Sequence, residues 1–464
     1  MRKVSITGTL LCAILFCATL AAQTNANKGT IEGFVSDASG APVPQAMVQA
    51  VAAGNGVERR TLTTSAGTYE FDSLEPGNYD VRVESAGFGV SLQRISLDVG
   101  ATLRVNIRLS LTGNAETVDI SSSALSIAEA IPTDVLTHTT IETLPINGRR
   151  FQDFASLSPA IQALPETHGQ LSFVGQRGIY SNVMLDGSDY NEPVLGGIRG
   201  GDRSNYAFTV PQSAIDEFQA VRTGPSVEYG HTTGGILNAT TRSGTNSFHG
   251  EGFYQFRDKG LSAADPLGLQ PLDRQHQFGG SLGGPIRKDR LFFFAAAEQQ
   301  FGRFPRVVSY PAVDAFAGNV TADIAPAYNY LRSLERPFNQ TNDATAAFGR
   351  ADYQMQRGDR ITVHYNYSRN HGLNAIAPGA TTLPALNEAI SSNGTAREVV
   401  QGGGGQWTSM FPGSAVNNLR VQYSREESAL NPNAAALCGP GIDRRIRHRT
   451  QFASGDDRLS FPGR

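Results

Sequence analysis

The chain has 464 residues, of which 17% are charged and 40% hydrophobic, and its formal net charge is -3. This length fits roughly two to four domains, each large enough to bury a core. The weak net charge argues against a nucleic-acid partner. Glycine is abundant, at 50 residues, but follows no triplet period, which favours turn-rich β structure over a collagen-like chain.

The N-terminus has the layout of a secretory signal. Two basic residues at 2–3 precede an apolar stretch at 10–20, and two alanines follow it. We therefore expect residues 1–22 to be a signal peptide and the protein to be exported. No later segment offers the run of about 20 apolar residues that a membrane-spanning helix needs. Cleavage would leave Cys438 as the remaining cysteine, which rules out an internal disulfide framework.

The region from about 29 to 110 reads as a compact all-β unit. Short alternating segments recur roughly every 8 to 12 residues and are separated by turn signals. Tyr79, Val81 and Val83 share one face of a strand, because side chains in a strand alternate sides. One buried face per strand predicts a sandwich of two sheets.

Four motifs in this unit resemble the carboxypeptidase regulatory-like domain. They are GFVSD at 33–37, GAPVPQA at 40–46, GTYEF at 67–71 and PGNYDV at 76–81. The resemblance implies a seven-stranded, carbohydrate-binding-like β-sandwich over residues 28–110, without catalytic residues. Related sandwiches bind carbohydrate or serve as spacers, and the fold alone does not decide between these roles. The chain has a single Trp, so no tryptophan cluster predicts a sugar platform, and we favour a spacer or docking role.

A polar connector at 111–122 follows the sandwich and contains the segment AETVDIS at 115–121. An extended segment between two folded units can add to the edge of a partner's sheet through its free backbone groups. By its position it resembles the TonB box, through which outer-membrane receptors engage the energy-transducing TonB protein of the inner membrane. The alternatives are an ordinary linker or the last strand of the sandwich. The candidate partner-binding residues are Glu116, Thr117, Val118, Asp119 and Ile120.

Ordered motifs over roughly the next 120 residues resemble the plug domain of TonB-dependent receptors. They include TIETLPINGRRF at 140–151, GQRG at 175–178, NVMLDG at 182–187, EYG at 228–230 and GGILNA at 234–239. The resemblance implies a small α/β plug over residues 123–246. The plug-motif residues are Arg177, Gly178, Asn182, Asp186, Gly187, Glu228, Tyr229, Gly230, Gly234 and Gly235.

Most of these plug-motif residues are glycines or charged residues. The glycines permit positive φ or close backbone approach, which a domain held inside a barrel needs. Arg177, Asp186 and Glu228 are candidates for charge pairs that are buried or that face the barrel wall. The alternative is that they cap turns or stay solvated. Polar contacts with the wall would suit a plug that moves, since such contacts exchange readily for water.

Long amphipathic segments begin after about residue 247. In 361–368, apolar or aromatic residues alternate with polar ones, so a strand there separates two environments. A membrane barrel requires lipid outside and a polar lumen inside, although a soluble sandwich also alternates. The segments QFGGSLGGPI at 277–286 and KDRLFFF at 288–294 resemble the first barrel hairpin of the Oar-like TonB-dependent receptors.

This resemblance makes residues 247–464 the first part of an antiparallel outer-membrane β-barrel. It implies a short periplasmic turn that begins at 283–285, a next strand that starts with the Phe run, and extracellular loops at 302–342 and 370–397. Roughly seven strands follow the plug, whereas barrels of this class have about 22, and seven cannot close around a plug. We therefore expect an incomplete N-terminal part: a fragment, a truncated product or an interrupted reading frame.

The function predicted from these motifs is ligand uptake across the outer membrane by a TonB-dependent receptor whose N-terminal domain lies in the periplasm. The expected partners are TonB, outer-membrane lipid and an unidentified small ligand, for which carbohydrate is mildly preferred; nucleic acid is not expected. No catalytic set, cofactor site or metal-ligand spacing emerges, because the glycine run at 402–405 lacks a phosphate-loop lysine and the oxygen-rich segment 186–192 lacks EF-hand spacing. The alternative is a secreted or surface carbohydrate-binding or adhesive β-sandwich protein.

Overall fold

The computed structural model describes most of the chain between residues 28 and 448. The described ranges are 28–111, 116–119, 133–144, 146–164, 170–193, 197–200, 208–225, 230, 232–263, 273–315, 317–355, 359–375, 385–386, 389–410, 416–433 and 445–448. The predicted signal peptide at 1–22, the TonB-box residue Ile120 and the plug-motif residues Glu228 and Tyr229 lie outside the described residues.

The first nine strands form a β-sandwich. They are β1 (Gly29–Ser36), β2 (Met47–Ala52), β3 (Glu58–Leu62), β4 (Thr68–Leu74), β5 (Gly77–Glu84), β6 (Ser91–Leu97), β7 (Thr102–Arg104), β8 (Ile107–Arg108) and β9 (Glu116–Asp119). One sheet has the order β4-β1-β7, with β8 also paired to β1, and the other has the order β3-β2-β5-β6-β9. The predicted seven strands are present when β7 and β8 are counted as one interrupted strand, and β9 adds an edge strand.

The core of the sandwich lies between these two sheets. Ile31 and Phe71 enter it from the first sheet, and Tyr79, Val81 and Val83 enter it from β5 of the second. The prediction that the three β5 residues share a buried face is therefore confirmed. Burial of this apolar surface is the main favourable term in the stability of such a domain.

The next elements form the plug, a small body built around a mixed sheet. They are β10 (Thr133–Leu136), α1 (His138–Thr143), β11 (Ile161–Leu164), β12 (Gln170–Phe173), β13 (Asn182–Leu185), β14 (Ser188–Asp189), β15 (Ile215–Val221) and β16 (Ile236–Thr241). Five strands pair in the order β10-β15-β16-β13-β14, and β11 and β12 form a separate hairpin. All six residues of the central strand β16 are buried.

The remaining strands form one large sheet, which we call the wall. They are β17 (His249–Arg257), β18 (Arg274–Arg287), β19 (Leu291–Val308), β20 (Phe338–Gln354), β21 (Arg360–Gly372), β22 (Ala385–Leu386), β23 (Gly394–Met410), β24 (Val416–Pro432) and β25 (Arg445–His448). The order is β17-β18-β19-β20-β21-β23-β24-β25, with β22 added to β19. The long neighbours are antiparallel, as predicted, and the described sheet is open, with β17 and β25 at its edges.

Two short helices, α2 (Pro311–Asp314) and α3 (Ala325–Ser333), lie in the connection between β19 and β20. No helix in the described part of the chain is long and apolar enough to cross a membrane.

Side chains alternate across the wall between an outer and an inner face. In β21, Val363 and Tyr365 are exposed on the outer face, whereas Thr362 and Asn366 are buried on the inner face. The inner face packs against the plug, where Phe294 joins the plug's hydrophobic cluster. The two environments that the sequence predicted for these strands are therefore present.

The predicted position of the turn between β18 and β19 was wrong. Residues 283–285 do not begin a turn, because β18 continues to Arg287 and the turn is formed by 288–290. The ladder accommodates Pro285 by a register shift between it and Arg287, as bulges commonly do. The Phe run does start the next strand, as predicted, and the rings of Phe292 and Phe294 are buried on the inner face.

The predicted extracellular loops are also shorter than expected. β19 extends to Val308 and β20 begins at Phe338, so the first loop covers 309–337. The second lies between the ends of β21 and β23, at 373–393. Charged residues in the strand ends hid the alternation from sequence reasoning, and they are tolerated there because neighbouring strands supply partners: Arg303 Nη1 donates to Asp343 Oδ1 at 2.7 Å.

Replacing Phe71 by Ala is expected to lower the free energy of unfolding of the sandwich by about 3–5 kcal/mol, because a buried ring leaves a cavity in the core. Urea unfolding of the purified protein, followed by circular dichroism, measures this change. Glu70→Ala, at the exposed neighbouring position, is the control and should shift stability by less than about 0.5 kcal/mol. Equal effects of the two substitutions would contradict this core.

Candidate functional site

The plug, the wall and the sandwich meet at one buried cluster of charged side chains, which we call the junction. It lies where the plug strand β16 ends and where the wall strands β20 and β21 are joined by their turn. Its members are Lys28 and Glu75 from the sandwich, Asp186 and Thr241 from the plug, and Arg350, Asp352, Arg360 and His364 from the wall.

Asp186 is the plug's contribution to the junction. Its Oδ1 accepts a hydrogen bond from the Thr241 backbone N–H at 2.9 Å, and its Oδ2 accepts from the Thr241 hydroxyl at 2.7 Å. Arg350 Nη1 lies 3.7 Å and His364 Nδ1 3.8 Å from its carboxylate. The prediction that Asp186 forms a wall-facing charge pair agrees with this placement. The carboxylate ties the end of β13 to the end of β16.

Arg350 is the wall's hold on the same point of the plug. Its Nη1 donates to the Thr241 carbonyl oxygen at 2.9 Å and to the Thr241 hydroxyl at 3.0 Å. Asp352 fixes the guanidinium from the other side, because it accepts from Nε at 2.9 Å and from Nη2 at 3.1 Å. This bidentate geometry makes the pair strong and directional. The plug's central strand is thus held at the residue from which the chain leaves toward the wall.

The sandwich reaches this pair through Arg360. Arg360 Nη2 donates to Asp352 Oδ1 at 2.8 Å, and Arg360 Nη1 lies 3.1 Å from Glu75 Oε1. Lys28 pairs with the same Glu75 carboxylate. Burial alone would raise the pKa of Glu75, but Arg360 and Lys28 outweigh it and lower that pKa to about 2. Burial lowers the pKa of Lys28 to about 8. At neutral pH the link between sandwich and wall is therefore ionic.

A second plug–wall contact centres on Glu298, whose side chain is buried on the inner face of β19. Arg149 of the plug donates to it from Nε at 3.2 Å, and Ser213 donates its backbone N–H at 3.2 Å and its hydroxyl at 3.1 Å. The Arg149 guanidinium also lies over the Phe253 ring, 3.8 Å from the centroid. One carboxylate of the wall therefore satisfies two separate segments of the plug.

The other plug-motif residues have mixed outcomes. Asn182 is buried, and its amide donates to the Gly230 carbonyl at 2.9 Å and accepts from Asn191 at 2.7 Å. The prediction of a buried or wall-facing Arg177 was wrong, since Arg177 is exposed. It occupies the N-cap position of a single 3-10 turn, where a guanidinium keeps its hydration. Glu228 is outside the described residues.

Two plug glycines show why their positions exclude other residues. Gly187 has φ +72°, so it completes with Asp186 a tight turn in the left-handed region. Gly235 leaves no room for a Cβ, which would lie 2.1 Å from Cδ1 of Phe173. Gly178 and Gly234 are also closely packed, whereas Gly230 has neither a positive φ nor a close neighbour. The expectation for Gly230 was therefore wrong; its role is to offer the carbonyl that Asn182 binds.

The TonB-box-like segment is in an extended conformation. Glu116–Asp119 form β9, which pairs in parallel with β6, with Thr117 opposite Leu92 and Asp119 opposite Arg94. This is the alternative in which the segment is the last strand of the sandwich. An edge strand has one free side, so the two readings do not exclude each other.

Sequence reasoning missed most of the junction. Arg350 and Asp352 are two residues apart and therefore share the inner face of β20. A pair of opposite charges at this spacing in an otherwise alternating strand was the available signal. Glu75 and Lys28 carried no signal, because Lys28 pairs with Glu75 across 47 positions of the chain and Glu75 meets Arg360 across more than 280.

Two protein families match separate parts of the chain. Residues 30–110 match the carboxypeptidase regulatory-like domain, and residues 240–335 match an outer membrane beta barrel domain. The TonB-dependent transporter Oar of Myxococcus xanthus is 28% identical over 305 residues, which cover 60% of this chain and 27% of Oar. The chain thus spans about a quarter of the length of this curated relative.

The chain is homologous to the TonB-dependent transporter Oar. The barrel-domain match includes the first wall strands and indicates an outer-membrane location. The chain's relatives are transporters and receptors. Among the residues that the structure describes, no group of three or more His, Cys, Asp or Glu side chains could hold a metal ion.

Solved structures of outer-membrane receptors are also similar to this chain. The ferric enterobactin receptor of Pseudomonas aeruginosa has 13% identity and a TM-score of 0.46, covering 64% of this chain and 41% of the receptor. The transporter YddB of Escherichia coli has 12% identity and a TM-score of 0.45, covering 64% and 39%. The alcaligin receptor FauA of Bordetella pertussis has 11% identity and a TM-score of 0.40, covering 65% and 48%.

Arg350→Met in the complete protein should destabilise the plug by about 3–5 kcal/mol, because it leaves Asp352 and Asp186 with fewer partners inside the junction. Amide hydrogen exchange of β16 in detergent-solubilised protein measures this. Arg303→Met is the matched control, since Arg303 is half-exposed in a wall ion pair with Asp343 and such pairs contribute about 0–1 kcal/mol. Unchanged amide exchange of β16 in Arg350→Met would contradict a stabilising role of Arg350 for the plug.

Glu217 makes the stability of the plug depend on pH. Burial raises the pKa of Glu217 to about 8, with further increases from Asp216 and Asp98, and its Oε1 has no hydrogen-bond partner. Between the ordinary glutamate value and pH 8 the folded plug holds a proton that the unfolded chain has released, so the free energy of unfolding falls as pH rises through this window.

Glu217→Gln should flatten this pH dependence and raise the urea midpoint at pH 8, while leaving it nearly unchanged at pH 5. Urea titrations of the plug at both pH values, read by hydrogen exchange of β15, measure the difference. Glu70→Gln on the exposed face of the sandwich is the control. A slope that is the same in Glu217→Gln as in the unsubstituted protein would count against a neutral Glu217.

Proposed function

We propose that the protein to which this chain belongs is a TonB-dependent transporter that takes up a small ligand across the outer membrane. The observation that carries the proposal is the seat of the plug against the inner face of the wall. Arg350 and Glu298 hold the plug by hydrogen bonds, and the plug's exit strand leads directly into the first wall strand. A domain held in this way blocks a lumen until the polar contacts exchange for water.

The outer face of the wall suits contact with lipid. In the middle of β21 and β24 the exposed side chains are apolar or aromatic, while polar side chains of the same strands, such as Asn366 and Gln422, bind the plug. A spanning sheet must separate the two media in this way, because backbone groups are paired between strands and the side chains alone meet the lipid. The exposed outer residues of β21, β23 and β24 include Val363, Tyr365, Trp407, Leu419, Val421 and Tyr423.

TonB is the proposed energy-coupling partner, and residues 116–120 are the proposed contact. Backbone hydrogen bonds from the free side of an extended strand supply affinity to a partner sheet. β9 is extended and lies at the edge of its sheet, which supports this use of the segment. The chain is not proposed to be an enzyme. The proposed ligand is a small molecule.

The alternative of a carbohydrate-binding or adhesive sandwich is not favoured. Sugar platforms need exposed aromatic rings, yet the exposed large apolar residues of the described sandwich are Met47, Leu62 and Leu111.

Val118→Pro should abolish capture by TonB, because proline removes a backbone donor and fixes φ within the segment that would pair. The test uses the complete protein in detergent and the purified periplasmic domain of TonB, with co-purification as the readout. We expect at least about a ten-fold loss of bound TonB. Val118→Ala, which keeps the backbone donor, is the matched control and should bind normally. Equal binding by Val118→Pro and Val118→Ala would refute the assigned contact.

A further inference from the structure

We propose that the N-terminal sandwich is a detachable brace of the plug, and that Glu75 is the residue through which the docked sandwich keeps the plug's exit strand in place. A spacer needs only to be connected to its neighbours, whereas this sandwich is docked on them through three separate sets of contacts. The sandwich of the same chain therefore occupies this docking surface on the plug and the wall.

The first contact is the ion pair between Glu75 and Arg360. It joins Lys28 and Glu75 of the sandwich to Arg360 and Asp352 of the wall. Asp352 in turn holds Arg350, which binds Thr241 of the plug. Arg360 has two acidic partners, Glu75 in the sandwich and Asp352 in the wall. Loss of Glu75 would leave Arg360 in competition with Arg350 for the single Asp352 carboxylate. The plug is thus sensitive to whether the sandwich is present.

The second contact joins the sandwich to the segment that leaves the plug. Asn246 donates its backbone N–H to the Gly54 carbonyl at 3.0 Å and its side-chain amide to the Asn55 carbonyl at 2.9 Å. The same amide also donates to Asp289 Oδ1 at 2.7 Å, in the turn between the wall strands β18 and β19. One asparagine therefore connects the turn between β2 and β3 of the sandwich with both the plug's exit and the wall.

The third contact lies on the plug sheet itself. Val99 of the sandwich donates its backbone N–H to Glu217, and Gly100 packs against the Gln219 side chain. Glu217 and Gln219 both belong to β15, the neighbour of β16 in the plug. The sandwich therefore supports the same two strands that carry the junction and the plug core.

The seam between these contacts is incompletely filled, and charged side chains form part of its lining. A cleft of about 550 Å³ separates the sandwich from the plug and the wall, lined by residues that include Arg59, Tyr79, Asp216, Arg242 and His249. Such a seam costs less to open than a closely packed apolar one, since water can replace its hydrogen bonds. A domain that is docked through a few polar contacts beside an open cleft can dissociate without exposing a large apolar surface.

The proposed TonB-binding strand, β9, belongs to the sandwich. β9 pairs with β6, and the loop that follows β6 supplies Val99 and Gly100 to the plug contact. A pull on β9 acts on β6 before it acts on the plug. This order makes the sandwich the first element to leave, and its departure removes Glu75 from Arg360.

The test compares Glu75→Gln with Glu32→Gln in the complete protein. Glu32 is the matched control, because its carboxylate pairs with Arg104 at 2.6 Å within the sandwich, so the same charge is lost away from the docking surface. Amide hydrogen exchange of β15 and β16 is the readout. We expect exchange in Glu75→Gln to rise about ten-fold, and to stay unchanged in Glu32→Gln. The double substitution Lys28→Met with Glu75→Gln should behave like Glu75→Gln and leaves no unpaired buried ammonium group.

A covalent lock separates undocking from damage to the fold. Gly54 has an ordinary φ, and a Cβ built there would lie 3.4 Å from Cγ2 of Thr245, so Gly54→Cys with Thr245→Cys can be oxidised to a disulfide. In the Glu75→Gln background, oxidation should restore slow exchange of β16, and reduction should reverse it. Equal β16 exchange in Glu75→Gln and Glu32→Gln overturns the brace, as does fast exchange that the disulfide does not correct. The assay needs neither TonB nor a ligand, so it can fail while the proposed transport function stands, and the reverse.

Discussion

A buried charge must have a partner, and the arrangement of three domains around the junction follows from this constraint. Arg350 and Asp352 point inward from the wall, into a region from which the plug excludes most of the water. Each needs the other, and both need Thr241, Asp186 or Arg360 to satisfy their remaining groups. Removing the sandwich or the plug would take one acidic partner from a buried arginine of the wall. Apolar packing makes the plug and the sandwich stable bodies, but the charges decide how they are placed.

The need to pair buried charges also explains why the plug has a defined position without being held by apolar packing alone. Phe294 and Phe348 of the wall pack into the plug core and supply an apolar contact that does not depend on direction. Glu298 and Arg350 supply the direction, because their hydrogen bonds require particular donors on the plug. A plug held by both kinds of contact has a defined position, yet it keeps a polar route by which water can enter.

Much of the fold was predictable from the sequence, since alternation and turn residues act locally. The inward face of Tyr79, Val81 and Val83 and the two-sided character of β21 required only the two-residue period of a strand. The site was less predictable. Asp186 was found through its motif, but its partner Arg350 lies 164 residues later, and no local rule joins them. Arg177 was misjudged because a motif position does not report exposure.

The glycine run at 402–405 leaves space for a side chain of the neighbouring strand. It lies in the middle of β23, where a Cβ at Gly404 would come within 2.7 Å of Cε1 of His364, the imidazole that faces Asp186. Any larger residue would drive that ring toward the plug's tight turn. Gly404 therefore leaves room for the His364 ring on the inner face of the wall, and its mutation to alanine would reach the plug through that ring, although it adds only a methyl group to the strand.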